Sequence, residues 1–285
     1  MNDSGGRRRR ALVNNVMLFL TGLAALLICS LLFFVLGYLF VKGIGTLDFA
    51  FFTQLPKPAG ETGGGMANAI VGSSKILALA TVIGVPIGFL GGVYLAEYGH
   101  KGFALTVQYL TDLLNGVPSI VIGMFAYTII VLRMHHFSTL AGGVALGIMM
   151  IPIAVRSTEE FLRAVPRSLR EGALALGAPK WRMLATVVIP AAKQGIITGI
   201  MLDLARVAGE TAPLLFTSFG NQFWSPGLNQ PTASLPAMIF KYATSPYPDW
   251  HRQALGAGFV LLMLILTINV SARLIFARSR LSRAR

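Results

Sequence analysis

Six apolar runs dominate this chain, and they restrict the folds open to it more than any other feature does. The first, residues 16–41, carries no charged side chain. At about 1.5 Å of rise per residue, a helix of that length crosses a hydrocarbon layer of about 30 Å. Five more follow at residues 69–95, 113–132, 140–155, 196–216 and 255–276. Only 12% of the 285 residues are charged, against about 25% in a soluble domain. The expected class is an all-α polytopic membrane protein with six transmembrane helices. Within it, the third span has a bend signal at Gly116-Val117-Pro118 and can begin as early as Ala104. The fourth is short, with Ile151-Pro152-Ile153 as its expected breaking point.

The net charge of +13 would suit a nucleic-acid binder, but the basic residues gather at the ends of the apolar runs, as in a membrane protein. Seventeen Lys and Arg fall on one side: residues 7–10, Lys101, the segment 156–194 and the tail from Arg273. Five fall on the other: Lys42, Lys57, Arg133, Lys241 and Arg252. The positive-inside rule places both termini and segment 156–194 in the cytoplasm, in an inner-membrane topology that an even number of spans allows. The arginines of residues 7–10 followed by an apolar run look like a secretory signal. The run is far longer than the roughly 7–15 residues of a signal core, so it reads as an uncleaved first span. Segments 43–66 and 217–254, rich in Pro and Gly, read as outer loops. The domain plan is then residues 1–68 (basic N-terminus, first span, outer loop), a core at 69–277 and a basic tail at 278–285.

Chemistry narrows quickly. Cys29 is the single cysteine, which leaves no internal disulfide and no thiolate metal cluster. His100, His135, His136 and His251 lie near span ends without metal-ligand spacing. No nucleophile–base set and no G-x-x-x-x-G-K phosphate loop occurs, which argues against an enzyme and places any ATP hydrolysis in another chain.

Charges inside the spans are the exception that points to function. The fifth run holds Asp203, Arg206 and Glu210, with Arg206 about ten residues from either end. An arginine at that depth costs about 2.5–3.5 kcal/mol on insertion scales and must face a polar interior. Arg206 and Glu210, four apart, share a helix face and can pair, with Asp203 within about 60° of both. Two readings stand: a structural lock between helices, or a station for a charged cargo held by the guanidinium fork. Lys75, near the start of the second span, is expected to snorkel to the outer interface. Ser73, Ser74 and Ser119 read as helix-packing groups, and Gly84, Gly88, Gly91 and Gly92 as sites of close helix contact.

Segment 156–194 looks helical, with Pro166 and Pro179 as breakers. By charge alone it is a basic loop held at anionic lipid. It also contains Glu171-Gly172-Ala173, three residues, Gly177, nine residues, and then Val187, Ile189 and Pro190. That spacing resembles the EAA signature of binding-protein-dependent ABC importer permeases, with Gly172 in place of the middle alanine. The resemblance implies a short coupling helix that docks on an ATPase, with Glu171, Gly172, Ala173, Gly177 and Pro190 as the coupling residues.

Further runs resemble the phosphate-importing branch of that family over roughly residues 61–277. They are Tyr94-Leu-Ala-Glu97-Tyr98, Asn115-Gly-Val-Pro118-Ser119-Ile-Val-Ile-Gly123, Ala205-Arg206-Val-Ala-Gly-Glu210-Thr-Ala-Pro213, and Ala233-Ser-Leu-Pro236 followed by Ser245-Pro246 and Trp250. What this implies is a type I importer permease carrying phosphate past Arg206, with Glu210 poising the arginine. The implied partners are a second, homologous permease, an ATPase dimer and a periplasmic phosphate-binding protein. No cofactor is expected on this chain, since ATP and magnesium belong to the ATPase. Competing readings are a permease for sulfate or phosphonate, and a secondary transporter in which the EAA spacing is coincidence.

Overall fold

The structure, a computed structural model, describes residues 4–99 and 102–281; His100, Lys101, Arg283 and Arg285 of the features above lie outside the described residues. The chain opens with α1 (Ser4–Ile44), the short α2 (Phe49–Thr53) and α3 (Ala67–Tyr98). Next come α4 (Phe103–Gly116), α5 (Ser119–Ala126), a π-helical turn (Tyr127–Val131) and α6 (Leu132–Met134). The long α7 (Thr139–Arg163) precedes α8 (Arg167–Ala175) and α9 (Lys180–Met183). A second π-helical turn (Leu184–Val188) leads into α10 (Ile189–Ala208). The short α11 (Ala212–Thr217) and α12 (Leu235–Ala243) are followed by α13 (Pro248–Leu281). Among the described residues, five helices are long and apolar enough to cross a membrane. A sixth crossing results if α4 and the α5–α6 run, bent by 104°, form one broken span.

Three expected boundaries shift, each for a physical reason. The fourth span does not break at Pro152: α7 runs through that proline to Arg163. Buried neighbours tolerate a proline inside a span. The added turns are held by Glu159, which pairs with Arg156 at i−3 (3.5 Å) and Arg163 at i+4 (2.8 Å). The fifth span begins at Lys180 rather than Ile196, because the run 183–192, flanked by Arg182 and Lys193, is apolar and its Met183, Leu184, Val188 and Ala192 form a buried stripe at helical spacing. It also ends at Ala208 rather than Phe216. Segment 156–194 is therefore mostly the continuation of two spans, with α8 alone between them.

The bundle is built on the parallel pair α3–α7. On α3, Gly84, Gly88 and Gly92 recur every fourth residue and face Met150, Ala154 and Thr158 of α7. A Cβ on Gly84 would lie 2.6 Å from the Met150 Cβ and 2.9 Å from the Gly147 carbonyl oxygen. Gly143 and Gly147 of α7 receive Leu79 and Ile83 in return. Small residues let the two backbones approach to this degree, as expected for the α3 glycines. By contrast α1 stands outside the core: it packs on α13 near its end, where Phe40 meets Phe259 edge-on at 5.7 Å.

At the end opposite the basic segment, segment 217–234 folds back over the tops of α3 and α7. The Thr139 N–H donates to the Gln230 carbonyl (2.9 Å) and the Leu140 N–H to that of Leu228 (2.9 Å). Asn68 donates to the Asn221 carbonyl (2.7 Å), and Ser73 Oγ accepts from the Leu235 N–H (2.7 Å). Lys75 reaches the same segment, donating to the Ser225 carbonyl at 2.6 Å. Its ammonium points toward the span end as the snorkelling argument expects. Beside it, Tyr242 of α12 stacks on Trp250 at 4.3 Å, and burial pushes its hydroxyl up to about 12.

Candidate functional site

Two helix breaks meet in the middle of the bundle. Pro118 forces Val117 into an extended conformation (φ −72°, ψ 128°), which ends α4 at Gly116 and turns the chain into α5. The bend read from Gly116-Val117-Pro118 is thus present. Pro213 has no N–H to donate and its ring would clash with the carbonyl of residue 209, so α10 stops at Ala208 and α11 starts afresh at Ala212. The Gly209 and Glu210 N–H groups close the last turn onto the carbonyls of Arg206 and Val207, both at 3.1 Å. Gly123 of α5 lies against Pro213, where an added Cβ would come 2.6 Å from the proline Cα. That contact brings the two breaks, a turn below it on each strand of chain, to the same level.

The depth of the breaks follows from their packing. Leu204, Val207 and Leu214 share an apolar cluster with Ile76, Leu77 and Leu146. Those residues lie seven to ten positions inside the ends of α3 and α7, or roughly 10–15 Å. Arg206 is exposed at this level, beside Leu202, which is exposed as well. Glu210 is half-buried in the break, and Asp203 is buried inside the bundle.

The trio therefore separates. Because the helix ends at Ala208, Glu210 leaves the face it would share with Arg206, and the expected pair does not form. Arg206 makes no ion pair with either carboxylate. A structural lock built from these three residues is absent in this chain by itself, and the guanidinium is left open at mid-depth.

The second assembly is α8 and its supports. Pro166 and Pro179 stand as the N-cap residues of α8 and α9. Gly177, at φ +80°, ends α8: its N–H donates to the Leu174 carbonyl (2.9 Å) and the Ala178 N–H to that of Ala173 (3.3 Å). This is a Schellman cap, for which a left-handed residue is required, and glycine adopts that conformation without a Cβ penalty. Glu171, Gly172 and Gly177 are exposed on the helix, and Ala173 is half-buried beneath it. Pro190 lies on another helix, in the first turn of α10; the carbonyl it cannot serve falls in the preceding π-helical turn. The motif thus combines an exposed short helix, its cap and the entry to the next span.

Sequence reasoning missed what holds α8 in place. Arg170, whose guanidinium burial draws below its usual pKa, is ion-paired with the buried Glu97 at the end of α3. It also donates to the Leu162 carbonyl of α7 (2.6 Å). Lys180 donates to the Glu97 carbonyl (2.9 Å) and sits 4.2 Å from the centre of the Tyr98 ring. Tyr94-Leu-Ala-Glu97-Tyr98 was legible as a motif, but nothing in it names Arg170, 73 residues away. A cavity of about 550 Å³ opens beside this joint, lined by Ala96, Glu97, Arg163, Val165, Arg167, Arg170 and Glu171. Outward of it, Leu176 and Trp181 are 90% and 69% exposed.

Residues 84–280 match the family described as "Binding-protein-dependent transport system inner membrane component". The chain is 48% identical over 253 residues to the phosphate transport system permease protein PstA of Yersinia pestis, covering 87% of this chain and 86% of that one. It is 43% identical over 268 residues to PstA of Haemophilus influenzae, with 94% and 95% covered. The chain belongs to the PstA family of ABC permeases. Among solved structures, a bacterial ABC transporter involved in the import of alginate superposes with a TM-score of 0.59 at 15% identity, over 95% of this chain and 99% of that one. The inward-facing MetNI methionine ABC transporter does so with 0.54 at 19% identity, over 77% and 96%. These place the fold among importer permeases. This PstA-family chain is a multi-pass inner-membrane protein and a non-catalytic transport subunit.

The permease departs from the EAA pattern at Gly172, and the departure is sterically idle: a Cβ there would have open space on every side. Gly172→Ala is expected to keep transport unchanged and to stabilise α8 by about 0.5–1 kcal/mol. Thermal unfolding of the detergent-solubilised protein, read beside uptake, checks this.

Proposed function

We propose that this chain is the permease subunit of an ATP-driven phosphate importer and forms half of its translocation path. The observation that carries the reading is Arg206, open and without a carboxylate partner at the mid-depth break of α10, in a chain whose relatives are phosphate permeases. A planar, permanently charged fork matches a tetrahedral oxyanion through charge-assisted hydrogen bonds. Glu210, close in sequence yet unpaired, lowers the net attraction so that the anion can leave.

The partners follow from the same reading. A homologous, PstC-like permease covers the open face of Arg206 and Leu202 and supplies the other half of the path. A PstB-like ATPase dimer, which holds the ATP and magnesium, receives α8 through Glu171 and the exposed Leu176 and Trp181. A PstS-like periplasmic phosphate-binding protein delivers substrate at the opposite end. Both termini and α8 are then cytoplasmic, in keeping with the charge count. ATP-driven closure displaces α8 and alternates access to the break.

The test is competition in proteoliposomes that hold the complete importer. Labelled phosphate uptake should require ATP and should resist a large excess of sulfate or phosphonate. Uptake displaced by sulfate or phosphonate at equal concentration would reassign the cargo, and uptake without ATP would remove the chain from this transporter class.

A further inference from the structure

Asp203 stands apart from the other two charges of its helix. It is 2% exposed, and neither carboxylate oxygen has a hydrogen-bond partner among the protein's own groups. It shares the buried face of α10 with Ile196, Gly199, Ile200, Leu204 and Val207. One turn toward the basic end, Gly199 packs on Ser157 and Phe161 of α7. One turn the other way, Leu204 and Val207 enter the apolar cluster with Ile76, Leu77 and Leu146. An ionised carboxylate in this setting would have lost its water and gained no donor, a condition proteins avoid by neutralising the group.

The charged groups on the helices packed against α10 offer no rescue. On α7, Arg156, Glu159 and Arg163 are joined in ion pairs toward the basic end, and Glu160 is exposed there. On α3, Lys75 is held by the Ser225 carbonyl and Glu97 by Arg170, while Tyr94 lies near the basic end. On α13 no ionisable residue occurs between Arg252 and Arg273. On α10 itself, Lys193 lies ten residues away, or about 15 Å along the axis. Arg206, three residues on, attracts the carboxylate, but its side chain is exposed and forms no ion pair with Asp203.

We infer that Asp203 is a neutral carboxylic acid in the assembled permease, a packing group and not a counter-ion, so that Arg206 retains its full positive charge for the transported anion. The second half of this statement rests on the pathway role proposed for Arg206; the first does not. A neutral acid keeps one O–H to donate to a backbone carbonyl, which an ionised one cannot do.

Asp203→Asn in the complete importer tests the assignment, because asparagine copies the shape and neutrality of the acid. The variant should co-purify with its partners and should hold the phosphate KM and maximal uptake within about twofold of the parent, with an unchanged pH profile. Its infrared difference spectrum against the parent should show loss of one protonated-carboxyl C=O band. A KM raised about tenfold, abolished transport with assembly intact, failure to assemble, or absence of the band would each overturn the inference. An Arg206→Gln variant that transported normally while the band was present would reject the pathway role alone and leave the neutral acid standing.

Discussion

Arg206→Gln should leave an importer that assembles in full and moves almost no phosphate. The side chain is exposed at the break of α10 and makes no ion pair with Asp203 or Glu210, so its removal breaks no internal salt bridge. A charge-assisted hydrogen bond of about 1.5–3 kcal/mol would be lost at the anion, which lowers uptake about 10–100-fold below saturation. Arg206→Lys should recover only part of it, since an ammonium keeps the charge and loses the fork. Co-purification with the partner subunits and uptake in proteoliposomes separate the two consequences. Near-normal uptake by the glutamine variant would exclude Arg206 from the path.

The second large effect belongs to the seam between α3 and α7. Gly84→Val places a branched side chain where even a Cβ would come 2.6 Å from Met150 and 2.9 Å from the backbone oxygen of Gly147. A backbone oxygen cannot swing aside as a side chain can, so the helices must separate. Overpacking of this kind costs about 1–3 kcal/mol, and more where the opposing atom is immobile. The variant should be depleted from membranes and should unfold at a lower temperature in detergent. Gly22→Val on α1, where no atom lies within 4 Å of the missing Cβ, should show neither change in the same assays. Equal stability of the two variants would mean that the glycine seam does not support the fold.

Much of this architecture can be read from local chemistry. The ends of α3 fall within a few residues of the expected span, because Ala69 to Leu95 is apolar and bounded by glycine-rich and polar sequence. The bend at Gly116-Val117-Pro118 follows from a two-residue steric rule. The cap at Gly177 is equally local, and so is the outward reach of Lys75. What escaped was non-local or concealed by composition. The entry to α10 is a short apolar run, 183–192, hemmed in by Lys180, Arg182 and Lys193, and its buried stripe of Met183, Leu184, Val188 and Ala192 becomes decisive only when α3 and α7 are there to receive it. The break after Ala208 lies inside an apolar stretch, and its one steric cause, Pro213, comes five residues later. As a result Arg206 and Glu210 looked like neighbours on one helix when they are not. Arg170 and Glu97 are partners only in the folded chain.

The ion pair between Arg170 and Glu97 also bears on how mechanical work enters the bundle. Arg170 grips α3 through Glu97 and α7 through the Leu162 carbonyl at the same time. Those two helices are fused along their length by the glycine seam. A displacement of α8 therefore cannot be absorbed by one helix sliding past the other. It is passed to both together, entering at their basic ends. Segment 217–234 rests on the opposite ends of the same two helices, so a motion entering through α8 reaches it through the pair.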